Sequence, residues 1–169
     1  MPKLSPCSTP GGLTKSFYYR RNPGGIDADL ASAEVWSQLI DTSGTPHEQA
    51  RRLLSLLFPS DVAESVYREF GDVVAAARAR LSPGLINRQA AAIEAWHRTG
   101  IGNQLREINV PVLIAAGTAD IVVPPSNALK LVNAIPGAWL AQFNGGGHAF
   151  MSQYPRPLAD LINSFLELG

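Results

Sequence analysis

The chain has 169 residues, 46% hydrophobic and 17% charged, and its 14 basic and 14 acidic side chains leave no formal net charge. Such a composition suits one globular domain and excludes a disordered chain, a basic nucleic-acid binder and, with Val110 to Ala116 as the longest apolar run, a membrane-spanning helix. The opening MPKLSPCSTPGG lacks the apolar stretch of a secretory signal, and the single cysteine, Cys7, makes neither an intrachain disulfide nor a cysteine zinc site, so a soluble cytoplasmic protein is expected.

From Ile26 to Ile101 the sequence reads as successive amphipathic helices. Ile26, Leu30, Ala33, Trp36 and Ile40 recur at three- or four-residue spacing, which predicts one helical face. Thr45-Pro46 supplies an N-cap followed by proline for a helix carrying Ala50, Leu53, Leu54 and Leu57. Pro59-Ser60 ends it, and Ser60 is expected to cap the next helix, with Val62, Val66, Phe70, Val73, Val74 and Ala77 facing inward. Ser82-Pro83 repeats the punctuation before a helix that places Ile86, Gln89, Ala90, Ile93 and Trp96 on one side.

After Asn109 the pattern changes. Val110 to Ala116 is a nearly continuous apolar run ending at Gly117, as expected of a strand buried on both faces. Pro124-Pro125-Ser126 opens a helix with Ala128, Leu131, Val132 and Ile135 on its face, and Pro136-Gly137 ends it. Trp139 to Phe143 reads as a second strand closed by Gly145, Gly146 and Gly147. A last helix follows Pro155 and Pro157, with Leu158, Leu161, Ile162 and Phe165 inward. This strand–helix–strand–helix order predicts an α/β fold with a short parallel sheet and covering helices.

Ligands of open parallel sheets bind at the carboxyl ends of the strands. Asp120 follows the first strand and His148 the second, so adjacent loops can bring a carboxylate to an imidazole. A carboxylate on one ring nitrogen fixes the tautomer and leaves the other nitrogen to act as a base. The plainer alternatives are an Asp that forms a turn and a His that is an ordinary loop residue.

The wording of these segments resembles the C-terminal part of the α/β-hydrolase fold family, in its capped form. The matching features are Ile108 to Gly117, Asp120, Pro124, Ala128, Leu131, Ile135 to Ala138, Gly147 to Phe150 and Gln153 to Pro155. The resemblance implies that Asp120 is the acid of a Ser-Asp-His triad and His148 its general base, with no metal or other cofactor. It divides the chain into a remnant strand and loop (1–25), a helical cap (26–104) and a C-terminal α/β core (105–169). Lys3 to Cys7 is expected to hold the remnant strand, Ser8 to Gly12 its end, and Asn103 to Glu107 the return from the cap.

One element of the family pattern is absent. No Gly-x-Ser-x-Gly elbow occurs in the sequence, so no nucleophile is assigned within it, and the first five strands of the fold are expected to be missing. Cys7 is intrinsically nucleophilic, but nothing in its sequence surroundings lowers its pKa, and a structural role is expected. His47 and His97 read as surface or core-edge residues without metal-ligand spacing. Trp36, Phe58, Phe70 and Trp96 read first as helix-packing residues, although the resemblance also implies pocket-lining aromatics in the cap. The expected function is the C-terminal portion of a hydrolase of esters, lactones or related bonds. The alternatives are a non-catalytic remnant or interaction module, or one half of a split enzyme. A small-molecule substrate is expected once an N-terminal half completes the site, and self-association is expected through an open sheet edge.

Overall fold

The apolar run after Asn109 builds the central strand of the sheet. Strand β3 (Val112–Gly117) lies between β2 (Thr14–Tyr19) and β4 (Trp139–Phe143), all parallel, and the two-residue β1 (Cys7–Ser8) pairs antiparallel with the start of β2. Ser16 stands opposite Val112 on one side of β3, and Leu113 stands opposite Trp139 on the other. This computed structural model describes residues 7–8, 14–19, 23–25 and 27–168, with the backbone alone for 7–8, 14–19, 102 and 103.

The N-terminal strand differs from the sequence expectation. Most of Lys3 to Cys7 lies outside the described residues, and the strand that pairs with β3 is Thr14–Tyr19, beyond the Ser8 to Gly12 stretch expected to end it. TKSFYY has no clean period-two alternation, so hydropathy does not mark it, although Thr, Phe and Tyr are all strand formers.

Alternation along β3 feeds two layers. Val112 and Ile114 pack with Leu105 and with Ala128, Leu131 and Ile135 at helix α5 (Ser126–Ala134). Ala115 packs with Phe150 and Leu158, from helices α6 (Phe150–Gln153) and α7 (Pro155–Glu167). Phe143 adds a stacked contact to Phe150, with ring centroids 5.1 Å apart.

The helical region comprises α1 (Ala33–Ile40), α2 (Pro46–Leu57), α3 (Ser60–Ala79) and α4 (Pro83–Thr99), and a 3-10 turn (Gly102–Glu107) returns to β3. Thr45 and Glu48 form a capping box on α2, and Ser82 caps α4 by accepting from the Leu85 N–H at 3.2 Å. Three expectations shift. Helix α1 begins at Ala33 behind a Ser32 cap, because residues 27–31 form a strap against the core instead. Pro59, not Ser60, occupies the N-cap of α3. The buried face of α3 runs through Ala63, Gly71 and Ala75, while Phe70 and Val73 are 48% and 68% exposed. Close packing through small side chains produces that face, and hydropathy undervalues such residues.

Three contacts hold the helical region in place over the α/β part. At the crossing, Gly24 and Gly100 lie backbone to backbone with φ of 64° and 55°, and a Cβ on Gly100 would fall 2.5 Å from the Gly24 carbonyl carbon. Along the strap, the fully buried Asn127 accepts from the Asp29 N–H (2.9 Å) and donates to the Asp29 carbonyl (2.8 Å) and the Pro124 carbonyl (3.0 Å). Asp29 also accepts from Lys130 (2.6 Å) and Ser126 (2.5 Å). At the third contact, the α2–α3 junction sits on the loop after β4: the Ala149 N–H donates to the Leu57 carbonyl at 2.9 Å, and a Cβ on Gly147 would fall 2.6 Å from that same oxygen. Among the described residues no helix is long and apolar enough to cross a membrane.

These fastenings carry three stability predictions. Asn127→Ala leaves the half-buried Asp29 N–H and carbonyl without their partner, so denaturant unfolding is expected to show a loss of about 1–2 kcal/mol; Gly147→Ala forces the junction apart and is expected to cost about 1–3 kcal/mol. The hydrogen bond from Lys130, and next that from Ser126, holds the Asp29 carboxyl below its ordinary value of 3.8. Its contribution is therefore complete above pH 3.8 and lost as the pH falls through the depressed native value. Melting temperature should fall in that acid window, and Asp29→Asn should make the fall shallower.

Candidate active site

Two loops at the carboxyl ends of β3 and β4 meet through their backbones. The Thr118 N–H donates to the Phe143 carbonyl (3.0 Å), the Ala119 N–H to the Gly146 carbonyl (2.9 Å), and the Gly145 N–H to Thr118 Oγ1 (2.8 Å). A Cβ on Gly117 would lie only 2.2 Å from the Gly146 carbonyl oxygen, so this approach requires glycine at 117. Tyr154 donates to the Asn144 carbonyl at 2.6 Å, and Gln153 Oε1 accepts from the Gly147 N–H at 2.8 Å. Both loop ends are thereby held before any side chain of the site is considered.

Asp120 and His148 come together at this meeting point. Asp120 is 6% exposed, and its Oδ1 accepts from the N–H groups of Val122 and Val123, each at 2.8 Å. His148 Nδ1 lies 2.9 Å from Asp120 Oδ2 and 3.2 Å from Oδ1. Asp120 therefore forms the turn and meets the imidazole at once: one oxygen closes the turn while both lie within reach of the ring. With Nδ1 engaged by the carboxylate, Nε2 is the ring nitrogen available for proton transfer.

His148, Val122 and Val123 form one side of a cavity of about 780 Å³ whose other walls are the strap and the helices α1–α4. Trp36, Leu39, Ile40, Leu53, Ile86, Ile93 and Trp96 make most of its lining apolar. A pocket of that volume accommodates a drug-sized ligand. Of the four cap aromatics, Trp36 and Trp96 line it, whereas Phe58 packs with Leu54 and Ala63 and Phe70 is half exposed on the outside of α3. His97 also lines the cavity, and burial lowers its pKa while Glu94 partly opposes the shift, leaving the ring mainly neutral at pH 7. The sequence alone reads it as an ordinary surface or core-edge residue. His47, on α2, has Nδ1 3.9 Å from the exposed Asp72 and lies away from the cavity lining.

The side chain of Cys7 is outside the described residues; its backbone belongs to β1. Hydropathy had no means of finding Val122 and Val123 as the donors that hold Asp120, because they act through their backbone N–H groups. It also passed over Arg78, a cavity residue near the end of α3, since a lone arginine on a helix carries no periodic signal.

The sequence profile of the TAP-like protein family matches residues 86–169. The non-heme chloroperoxidase of Streptomyces lividans is 33% identical over 85 residues, 50% of this chain and 31% of that protein. The meta-cleavage product hydrolase CumD of Pseudomonas fluorescens superposes with a TM-score of 0.70 at 18% identity, covering 89% of this chain and 54% of its own. The bromoperoxidase of Bacillus anthracis does so with a TM-score of 0.71 at 20% identity, covering 90% of this chain and 58% of its own. The chain spans no more than about half the length of the curated relatives it matches. With its parallel strands, its helical cap and loops meeting at the strand ends, the chain is an α/β-hydrolase-fold protein corresponding to the C-terminal part of that fold.

Proposed function

We propose that this chain carries the acid and the base of a Ser-Asp-His hydrolase acting on esters, lactones or related bonds, with the nucleophile supplied by a segment outside it. The observation that carries the proposal is the 2.9 Å contact between His148 Nδ1 and the buried Asp120 Oδ2, with the ring in the wall of an apolar cavity. Asp120, held by two backbone donors, orients the imidazole. His148 Nε2 takes the proton from the attacking hydroxyl and returns it to the leaving group, and water repeats the cycle on the acyl intermediate. The likeness to hydrolases and haloperoxidases of the same fold supports the reading.

The nucleophile-bearing part has a natural place to dock. β1 pairs with only Thr14 and Lys15 of β2, and among the described residues Ser16 to Tyr19 have β3 as their sole strand partner. The outer edge of β2 would receive the neighbouring strand of a complete sheet, whether from the same polypeptide or a second one. Without that strand, the same edge favours pairing with another copy of the chain.

The purified chain is expected to hydrolyse a short-acyl nitrophenyl ester no faster than its Asp120→Asn, His148→Ala double variant. A polypeptide extended upstream through a Gly-x-Ser-x-Gly segment is expected to turn the ester over, with Asp120→Asn lowering kcat by about 10⁴-fold. Turnover of the extended protein that is indifferent to both substitutions would overturn the assignment. Turnover by the chain alone that the double variant abolishes would place the nucleophile within it.

A further inference from the structure

The cavity over His148 is apolar along most of its length but polar at two separated points. Helix α4 sets the scale. Ile86 stands near one end, beside the short 80–82 connection from α3, and Glu94 and His97 stand toward the other, near the Gly24–Gly100 crossing. Ile86 and Glu94 are eight residues apart, about 12 Å along the helix axis. Arg78, two residues before that connection begins, belongs to the Ile86 end.

Arg78 is half-buried and held by neutral groups. Its Nε donates to Gln49 Oε1 at 3.3 Å, and its Nη2 donates to the Asp41 carbonyl oxygen at 3.4 Å. No carboxylate among the described residues lies within ion-pair distance of it. Asp41 is the acidic neighbour, and its carboxylate is committed elsewhere: it accepts from the Ser43 N–H (2.7 Å) and hydroxyl (3.0 Å) and pairs with Arg52 at 3.3 Å. A guanidinium has five N–H donors, of which two are used among the described residues; the Asp41 carboxylate feels its charge only at longer range, after Ser43 and Arg52, and no described carboxylate forms a direct ion pair with it. Positioned by two acceptors in the wall of an apolar chamber, it is preorganised for a planar anion.

The distance to the reaction centre follows from α2. Gln49, which anchors Arg78, precedes Leu57 by eight residues, about 12 Å of helix. Leu57 is the residue whose carbonyl receives the Ala149 N–H, next to His148. Cation and imidazole therefore stand toward opposite ends of the chamber, with Trp36, Leu53 and Ile86 among the apolar residues that line it.

From this arrangement we infer that the cavity accepts an ester or lactone bearing a carboxylate remote from the scissile bond, with an apolar chain between them and the carboxylate on Arg78. The inference deepens the hydrolase reading and rests on it only in calling the ligand a substrate. Glu94 and the neutral His97, at the other end of α4, leave the Arg78 end as the place for the anion.

Binding to the full chain tests this without requiring turnover. Monomethyl azelate carries a carboxylate at one end and a methyl ester at the other; dimethyl azelate has the same apolar chain without the charge. Calorimetric titration, with the fluorescence of Trp36 and Trp96 as a second readout, is expected to show the monomethyl ester binding about tenfold more tightly, as one charge-assisted contact would give. Arg78→Gln should remove that preference, bringing the two esters to within about twofold of one another, and Arg78→Lys should restore part of it. Should Arg78→Gln fail to fold, the comparison of the two esters on the unaltered chain still decides. Equal binding of the two, a preference that survives Arg78→Gln in a folded variant, or no binding of either ester would overturn the inference. Arg78-dependent binding together with an inactive extended polypeptide would retain the anion site and reject the hydrolase reading.

Discussion

The site depends first on the contact between two backbones at Gly117 and Gly146. No side chain fits between them, and the hydrogen bonds from Thr118 and Ala119 to the loop after β4 form only at that separation. The contact turns two parallel strand ends into one rigid surface. Asp120 and His148 then need only their ordinary side-chain reach to meet. Val122 and Val123 donate to the buried carboxylate from the turn that it closes, which fixes its direction toward the ring. The geometry of this pair is carried mainly by main chain, and side chains finish it.

The helical region could not make such a cavity by itself. Helix α1 has no fully buried residue, and α4 buries only Ile86, so neither has a core of its own sufficient to place it. Their positions come from the three fastenings: the Gly24–Gly100 crossing, the Asn127 strap and the α2–α3 junction on the loop of His148. Each uses backbone groups or a buried amide, which fix distance and direction more narrowly than apolar contact does. The junction has a dual effect, since it both seats the helices and braces the loop that carries the imidazole.

Charge is arranged within this frame by sequestration. Asp41 is absorbed by Ser43 and Arg52, Asp29 by Lys130 and Ser126, and Glu48 by its own helix cap. Hydrogen bonding from these partners lowers the pKa of all three carboxyls. What the cavity retains is a guanidinium, a burial-neutralised imidazole at His97, the Glu94 carboxylate and the His148 ring. A chain with no net charge can still present a polarised chamber, because the balance is struck locally.

Periodicity and punctuation were sufficient to locate β3, α5, β4 and the starts of α2 and α4, since each is announced by its own residues: an apolar run, a Thr-Pro or Ser-Pro cap, a Pro-Gly stop. The same reading placed Asp120 and His148 at strand ends, where a parallel sheet gathers its ligands. It missed β2, whose mixed TKSFYY carries no period, and it extended α1 back to Ile26, because a strap that bonds to Asn127 98 residues away leaves no local mark. It put Phe70 and Val73 inward, where small residues take the interface instead. Local sequence determines how each segment folds and where polar residues fall along it. Only the tertiary structure decides which backbones touch and which of Trp36, Phe58, Phe70 and Trp96 face the chamber, because those outcomes belong to pairs of segments far apart in the chain.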